Sequence, residues 1–365
     1  MKRGAMERIR ATYLVDAPQG EIEARARALA VEQSVEMPLE AIAERRVLEE
    51  VAATVESIRP REGRFEVVLG IAPSTTGPEA SQLLNMLFGN CSLQPEVELV
   101  DVAFPAGYER AFPGPRFGIE GLRGIARVEG RPLTCTALKP QGSNVAHLAG
   151  LAGTFARAGI DVIKDDHGLA DQAAAPFAER VPAVQRAIDE ANRATGGCTI
   201  YAPTFSGGPR ALEAQARIAR ACGVRMALAA PMLLGAPGFL ELRVELDIPV
   251  MAHPALGGAA RIAPPLLLGT LFRLFGADAT IFPNHGGRFS YSRATCMAVA
   301  QAARRPWSGV KPTLPVPAGG MTVERVPEMV EGSGADTMLL IGGGLLVARE
   351  RLLERAREFV AAVRG

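Results

Sequence analysis

From about residue 125 onward the chain repeats one pattern: a short apolar, β-branched run, a Gly-, Pro- or His-rich exit, then an amphipathic stretch. The apolar runs cover residues 133–138, 162–164, 199–202, 225–229, 249–252, 279–282, 313–316 and 337–341. Helical periodicity fills the gaps, as at 182–193, 210–221, 264–275 and 345–363. Near-continuous apolar strands alternating with helices are what a parallel sheet covered on both faces requires. Eight such units over about 240 residues predict a closed (β/α)8 TIM barrel rather than an open doubly wound sheet. The missing G-x-G-x-x-G after the first strand points the same way. The first part of the chain differs. Residues 8–15 and 64–71 read as strands, 21–32 and 81–88 as helices, and the Pro-rich 104–117 as a linker. The expected fold is α/β: a small α+β domain over 1–122, then a barrel over 123–365.

Composition narrows the partners. The 365 residues carry 40 Lys and Arg against 39 Asp and Glu, a balance that leaves no basic footprint for nucleic acid or anionic membrane. The charged start and the Pro- and Gly-broken apolar stretch at 226–240 predict neither a signal peptide nor a membrane span. Five dispersed cysteines without a CxxC favour a reducing, cytoplasmic setting.

In a TIM barrel the chemistry sits where strands end. Of four histidines, His167, His253 and His285 fall at or just after strands two, five and six of the barrel, and His147 falls within a helix. The densest cluster, Gly159-Ile-Asp161-Val-Ile-Lys164-Asp165-Asp166-His167, closes strand two. Lys164 and Asp166 are two apart, so an extended backbone points them the same way, and His167 can swing to the same place. That quartet is either a salt-bridged rim cluster or a metal site. A lysine carbamylated by CO2 offers oxygens which, with Asp166, suit Mg2+, and the His167 nitrogen is compatible with Mg2+ or Mn2+. Lys139, ending strand one in Lys139-Pro140-Gln141, is either a base of lowered pKa or a lysine snorkelling to solvent. The glycines after strands seven and eight, Gly319-Gly320 and Gly342-Gly343-Gly344, stand where this fold repeatedly cradles phosphate.

Taken together, Gly159-x-Asp161-x-x-Lys164-x-Asp166-His167, Gly130-Arg-Pro-Leu before Lys139-Pro140, Phe88-Gly89-Asn90 and the two glycine groups resemble the RuBisCO large-chain family. The resemblance implies a carbamylated Lys164 and a Mg2+ held with Asp166 and His167. It further implies a homodimer whose site is shared between subunits, with Glu32 and Asn90 supplied by the partner. The departures are specific. His167 replaces a metal-site glutamate, Gln141 a lysine and Ala318 a serine. His253-Pro254-Ala255-Leu256-Gly257 lacks the family's arginine and second histidine, and Ile281 stands for a phosphate-binding histidine. Arg288 is the nearest counterpart of the lysine that orients CO2. These losses imply a RuBisCO-like protein rather than a carboxylase, with one phosphate site kept and a monophosphorylated sugar-acid or ketose substrate.

The shared family chemistry implies an enediolate, with Lys139 moving its proton and His253 and His285 as shuttles or hydroxyl ligands. Decarboxylation of 3-oxo-isoapionate 4-phosphate is the first expectation. Cleavage of the same acid by carboxyl transfer and hydrolysis, and enolisation or isomerisation of methylthio-ketose phosphates, are the alternatives. A barrel that binds a sugar phosphate without turning it over is the non-enzymatic one.

Overall fold

The computed structural model describes residues 7–365 apart from Arg288 and Ser290. Two compact units emerge. One comprises the chain up to Pro113 together with Leu256–Leu267, and the other Gly114–Ala255 with Leu268–Gly365.

The first unit is built on an antiparallel sheet of order β2-β3-β1-β4, from β1 (Ile9–Val15), β2 (Thr54–Arg61), β3 (Arg64–Ile71) and β4 (Val97–Ala103). Helices Ile22–Glu32 and Ala80–Phe88 accompany it, and the Tyr13 hydroxyl donates to the Leu87 carbonyl at 2.7 Å. Two of these strands, β2 and β4, are not among those expected from the sequence. Strand β2 is an exposed edge containing Pro60, and such edges carry no buried alternation to read. The open edge of β4 is covered by a segment far along the chain: Leu99 bonds through its backbone to Arg261 and Ala263, and the Arg261 guanidinium donates to the carbonyls of Val97 and Gln94. This covering is one of the ways a sheet avoids pairing with another chain.

The second unit is the expected barrel. Its strands are β5 (Leu133–Leu138), β6 (Val162–Asp165), β7 (Ile200–Ala202), β8 (Ala227–Ala229), β9 (Val250–Ala252), β10 (Ala279–Pro283), β11 (Leu314–Ala318) and β12 (Met338–Leu340). The order is β7-β6-β5-β12-β11-β10-β9-β8, parallel throughout, and a Thr204–Leu228 bridge joins the two ends. Inward-facing side chains recur with period two: Leu133 and Cys135 on β5, Val162 on β6, Ile281 on β10 and Val316 on β11 all meet in one core.

Two expectations change. The division between units falls at Pro113/Gly114 rather than at 122/123, because Gly118–Ala126 is a helix belonging to the barrel. Three glycines in nine residues give it little intrinsic helix propensity, so the reason for its helicity is tertiary. Ile119, Leu122 and Ala126 pack into the barrel core, and the buried Asp278 carboxylate accepts from the backbone amides of Phe117 (2.7 Å), Gly118 (2.8 Å) and Val250 (3.0 Å). The helix expected over 345–363 is interrupted: Gly343–Leu346 is a single short turn of helix, Arg349 adopts φ 46°, and the long helix runs only over Leu352–Arg364. Among the described residues no helix is long and apolar enough to cross a membrane.

Asp278 thus ties the plugging helix to strands β9 and β10. Asp278→Ala, which leaves buried amides unpaired, is expected to cost about 3 kcal/mol in urea unfolding, and Asp278→Asn about 1 kcal/mol because one acceptor is kept. Equal losses for the two variants would show that the carboxylate oxygen facing Phe117 and Gly118 is not the anchor.

Candidate active site

The row of inward-facing residues on β6 explains how the chemistry is placed. Val162 is in the barrel core, Lys164 follows two residues later opposite Ala137 of β5, and Asp166 comes two residues after that, just past the strand end. Lys164 is therefore buried inside the barrel mouth, 3% exposed, with its Nζ donating to the Asp165 carbonyl at 2.9 Å. Lys139, leaving β5 next door, places Nζ 2.8 Å from Asp166 Oδ1. His167 Nδ1 lies 3.4 Å from the same oxygen, and its ring stacks on that of His253 with centroids 4.5 Å apart and planes within 7°. Lys139, Lys164, Asp166, His167 and His253 thus converge, from three strands, on one place.

The electrostatics follow from burial. Burial lowers the Lys164 pKa, and the charge of Lys139 adds to that. Burial by itself would raise the Asp166 pKa, but hydrogen bonds from His167 and Lys139 and the nearby Lys164 charge outweigh it and hold the carboxylate ionised. Burial, followed by the charges of Lys164 and His167, pushes His253 down to about 2. His253 is neutral, and its Nδ1 accepts from the Ala255 amide at 3.1 Å, so its proton is on Nε2.

Among the described residues no three His, Cys, Asp or Glu side chains form a metal cluster. Asp166 and His167 offer one oxygen and one nitrogen to a divalent ion. A third ligand has to come from Lys164, and an amine shifted towards its neutral form by burial is the form that reacts with CO2 to give a carbamate. The residues fit the ion on that condition.

Behind this cluster is a layer that periodicity does not reveal. Asp165, pointing the other way from its two neighbours, is fully buried and pairs with Arg180 Nη2 at 3.1 Å, while the Tyr201 hydroxyl (2.8 Å) and the Thr204 amide (3.1 Å) donate to it. Asp161 of the signature is likewise structural. At the opposite end of β6 it takes a bidentate bond from Arg131, both contacts at 2.8 Å, and bonds from the Thr134 amide and hydroxyl. The only cue in the sequence was a carboxylate flanking a strand, with arginines elsewhere to pair it.

The remaining candidates of the barrel stand on the loops after β10, β11 and β12. His285, after β10, places Nε2 2.9 Å from Glu328 and 3.0 Å from Arg325, whose guanidinium also donates to the carbonyls of His285 and Gly320. This ties the loop after β10 to the loop after β11. The same loops touch backbone to backbone: a Cβ on Gly320 would lie 2.4 Å from the Gly287 Cα, so neither position admits a side chain. Gly319, at φ 85°, faces open space, as does Gly343. A Cβ on Gly342 would sit 3.6 Å from Lys139 Cε, and one on Gly344 would meet the Met321 carbonyl at 2.8 Å. Gln141 donates to the Gly168 carbonyl at 2.8 Å, joining the loops after β5 and β6. In the first unit Asn90 donates to Glu32 (2.8 Å) and Glu36 (3.1 Å). Arg288 lies outside the described residues.

The unfolded chain protonates His253 near pH 6.5 and the folded one does not until about 2, so this residue subtracts stability increasingly as pH falls below 6.5. In the presence of a chelator, His253→Gln is expected to lose about 2 kcal/mol less than the parent between pH 7 and pH 5 in urea unfolding. Parallel losses would mean that His253 is protonated in the folded protein.

Residues 118–221 match the family model for the ribulose bisphosphate carboxylase large chain, catalytic domain. Across 98% of its length the chain is 52% identical to "ribulose bisphosphate carboxylase-like protein 1" of Rhodopseudomonas palustris, covering 98% of that protein. It is also 52% identical to the "5-methylthioribulose-1-phosphate isomerase" of Rhodospirillum rubrum, over 98% of this chain and 97% of that one. The "2,3-diketo-5-methylthiopentyl-1-phosphate enolase" of Geobacillus kaustophilus is 35% identical over 77% of this chain and 70% of its own. Among solved structures, a RuBisCO-like protein from Rhodopseudomonas palustris superposes with a TM-score of 0.92 at 49% identity, covering 98% of each chain. One from Alicyclobacillus acidocaldarius does so with a TM-score of 0.88 at 29% identity, over 98% of this chain and 93% of that one. On the barrel, its lysine cluster and these likenesses, the chain belongs to the RuBisCO large-chain family, among the RuBisCO-like proteins.

Proposed function

We propose that this protein is an enzyme that isomerises 5-methylthioribulose 1-phosphate or a close analogue through an enediolate. The observation that carries this is the 52% identity, over nearly the whole of both chains, to a relative named for that reaction. The convergence of Lys139, Lys164, Asp166 and His253 supplies the chemistry. Decarboxylation of 3-oxo-isoapionate 4-phosphate would use the same cluster. The relatives named for an activity act instead on methylthio-ketose phosphates, so the methylthio alternative is preferred.

Isomerisation of a ketose through an enediolate moves a proton from a carbon beside the carbonyl to the carbonyl carbon itself, while the hydroxyl proton passes between the two oxygens. Lys139, half-exposed at the end of β5, is proposed to take and return that proton. Neutral His253 is proposed to donate from Nε2 to a substrate oxygen, a role that imidazole fills without a change of charge. Lys164 as its carbamate, Asp166 and His167 would hold Mg2+, with Mn2+ as a substitute. That ion would supply positive charge beside the developing enediolate oxygen. Gly319, Gly320, Gly342, Gly343 and Gly344 are assigned to the phosphate, because backbone amides in loops without side chains can approach an anion closely. His285 is proposed to act indirectly, by holding the loop after β10 against that after β11. Glu32 and Asn90 are proposed to serve the site of a partner subunit in a homodimer. Arg288 is proposed as a substrate-binding residue.

Incubation of the purified protein with Mg2+, bicarbonate and 5-methylthioribulose 1-phosphate in D2O is expected to give an isomeric ketose phosphate carrying solvent deuterium, read by NMR. Lys139→Ala is expected to reduce kcat by about 10²–10⁴-fold. Release of CO2 from 3-oxo-isoapionate 4-phosphate, with the methylthio substrate returned untouched, would overturn the assignment in favour of the decarboxylase. Chelation of the metal or depletion of CO2 is each expected to abolish turnover, and Mg2+ with bicarbonate to restore it. Full activity in CO2-free, metal-loaded buffer would remove the carbamate from the ligand set.

A further inference from the structure

The rim of the barrel opposite the glycine loops holds a feature that the isomerase chemistry does not use. In the closed ring of strands, β8 stands across from β12 and β7 across from β11. At the C-terminal ends of β7, β8 and β9 is a recess of about 20 Å3, lined by Phe205, Leu228, Leu233 and Leu234, with the stacked rings of His167 and His253 as its wall towards the lysine cluster. None of the described residues lining it is Lys, Arg, Asp or Glu. Among its polar groups, Thr204 bonds to Asp165 and Asp166 and His253 Nδ1 takes the Ala255 amide, while Ser206 is the one further hydroxyl in the lining. Leu233 keeps 60% exposure, an apolar side chain left at the mouth of the cleft.

We infer that this recess receives the uncharged thioether end of the substrate, and that Leu234, with Leu233, selects a monophosphate over a bisphosphate or a 5-hydroxy sugar. The inference rests on the isomerase reading for the identity of the phosphate end. A molecule anchored by phosphate at the loops after β11 and β12 passes Lys139 and Asp166 and presents its far end to β7, β8 and β9. A second phosphate there would be desolvated against leucine and phenylalanine with no cation in the lining, whereas a methylthio group loses only its contact with water. The recess is small, with room for the centres of one or two water-sized groups.

The test compares wild type, Leu234→Asn and Leu233→Asn on 5-methylthioribulose 1-phosphate and on ribulose 1-phosphate. Wild type is expected to prefer the methylthio compound in kcat/KM by about tenfold or more, the scale of discrimination by a small apolar pocket. Leu234→Asn is expected to lose that preference through KM, with kcat kept within about threefold. Leu233→Asn, at an exposed position that folding tolerates, is expected to lose part of it. Preference unchanged in both variants would overturn the inference. Should wild type turn over neither sugar, the isomerase reading fails, and the recess is still tested by calorimetry with two unreactive alcohols, 5-methylthiopentitol 1-phosphate and pentitol 1-phosphate. Tighter binding of the first, abolished by Leu234→Asn, would support the recess. Equal or undetectable binding of the two by wild type would overturn it.

Discussion

A charged pair without solvent lies beneath everything the rim of this barrel can do. Asp165 and Arg180 are both fully buried, and each would be costly to bury alone. The carboxylate is satisfied four ways, by Arg180 Nε and Nη2, the Tyr201 hydroxyl and the Thr204 amide. The guanidinium is satisfied by Asp165 and the carbonyls of Ala170 and Ala175. Such a pair is weak as a source of stability but strict about geometry. Because Asp165 must face outward to reach Arg180, pleating turns Lys164 and Asp166 inward. The same network reaches Thr204 of the next loop, whose hydroxyl bonds the Asp166 carbonyl.

The cluster that results is polarised by burial as much as by its charges. A lysine inside the barrel, a carboxylate kept ionised by two donors, and a histidine kept neutral form a site whose protonation states are set before any substrate arrives. A preorganised site of this kind needs little rearrangement when charge develops on a reacting oxygen. The loops opposite are organised by other means. There Gly287 and Gly320 close against each other, and Arg325 spans both loops. The region assigned to phosphate is therefore made of backbone, and the end assigned to the thioether of hydrocarbon.

Much of this was legible in the chain. All eight barrel strands appear within two residues or so of their positions, because each is an apolar run whose burial on both faces leaves a pattern. The gathering of side chains at the rim was legible too, since His167 and His253 stand at strand exits and Lys164 and Asp166 are two apart. Less visible were the elements whose reasons are not local. The edge strand β2 buries too little to show a period, and helix Gly118–Ala126 is held by Asp278 from 160 residues away. The break at Arg349 interrupts a stretch whose periodicity runs straight through it.

Taken by itself, the amino-acid order determined the kind of fold and the chemical inventory at its rim. Both are written in spacings of two to four residues, which the geometry of strand and helix enforces wherever they occur. Only the tertiary structure decided that Asp165 is a strut while Asp166 faces the amines. It also decided that His253 stacks on His167 and stays neutral, that His285 serves a neighbouring loop, and that four apolar side chains face the cleft across from the glycines. Each of these depends on burial and pairing between segments distant along the chain. Closure of the barrel brings them together, and no local period encodes it.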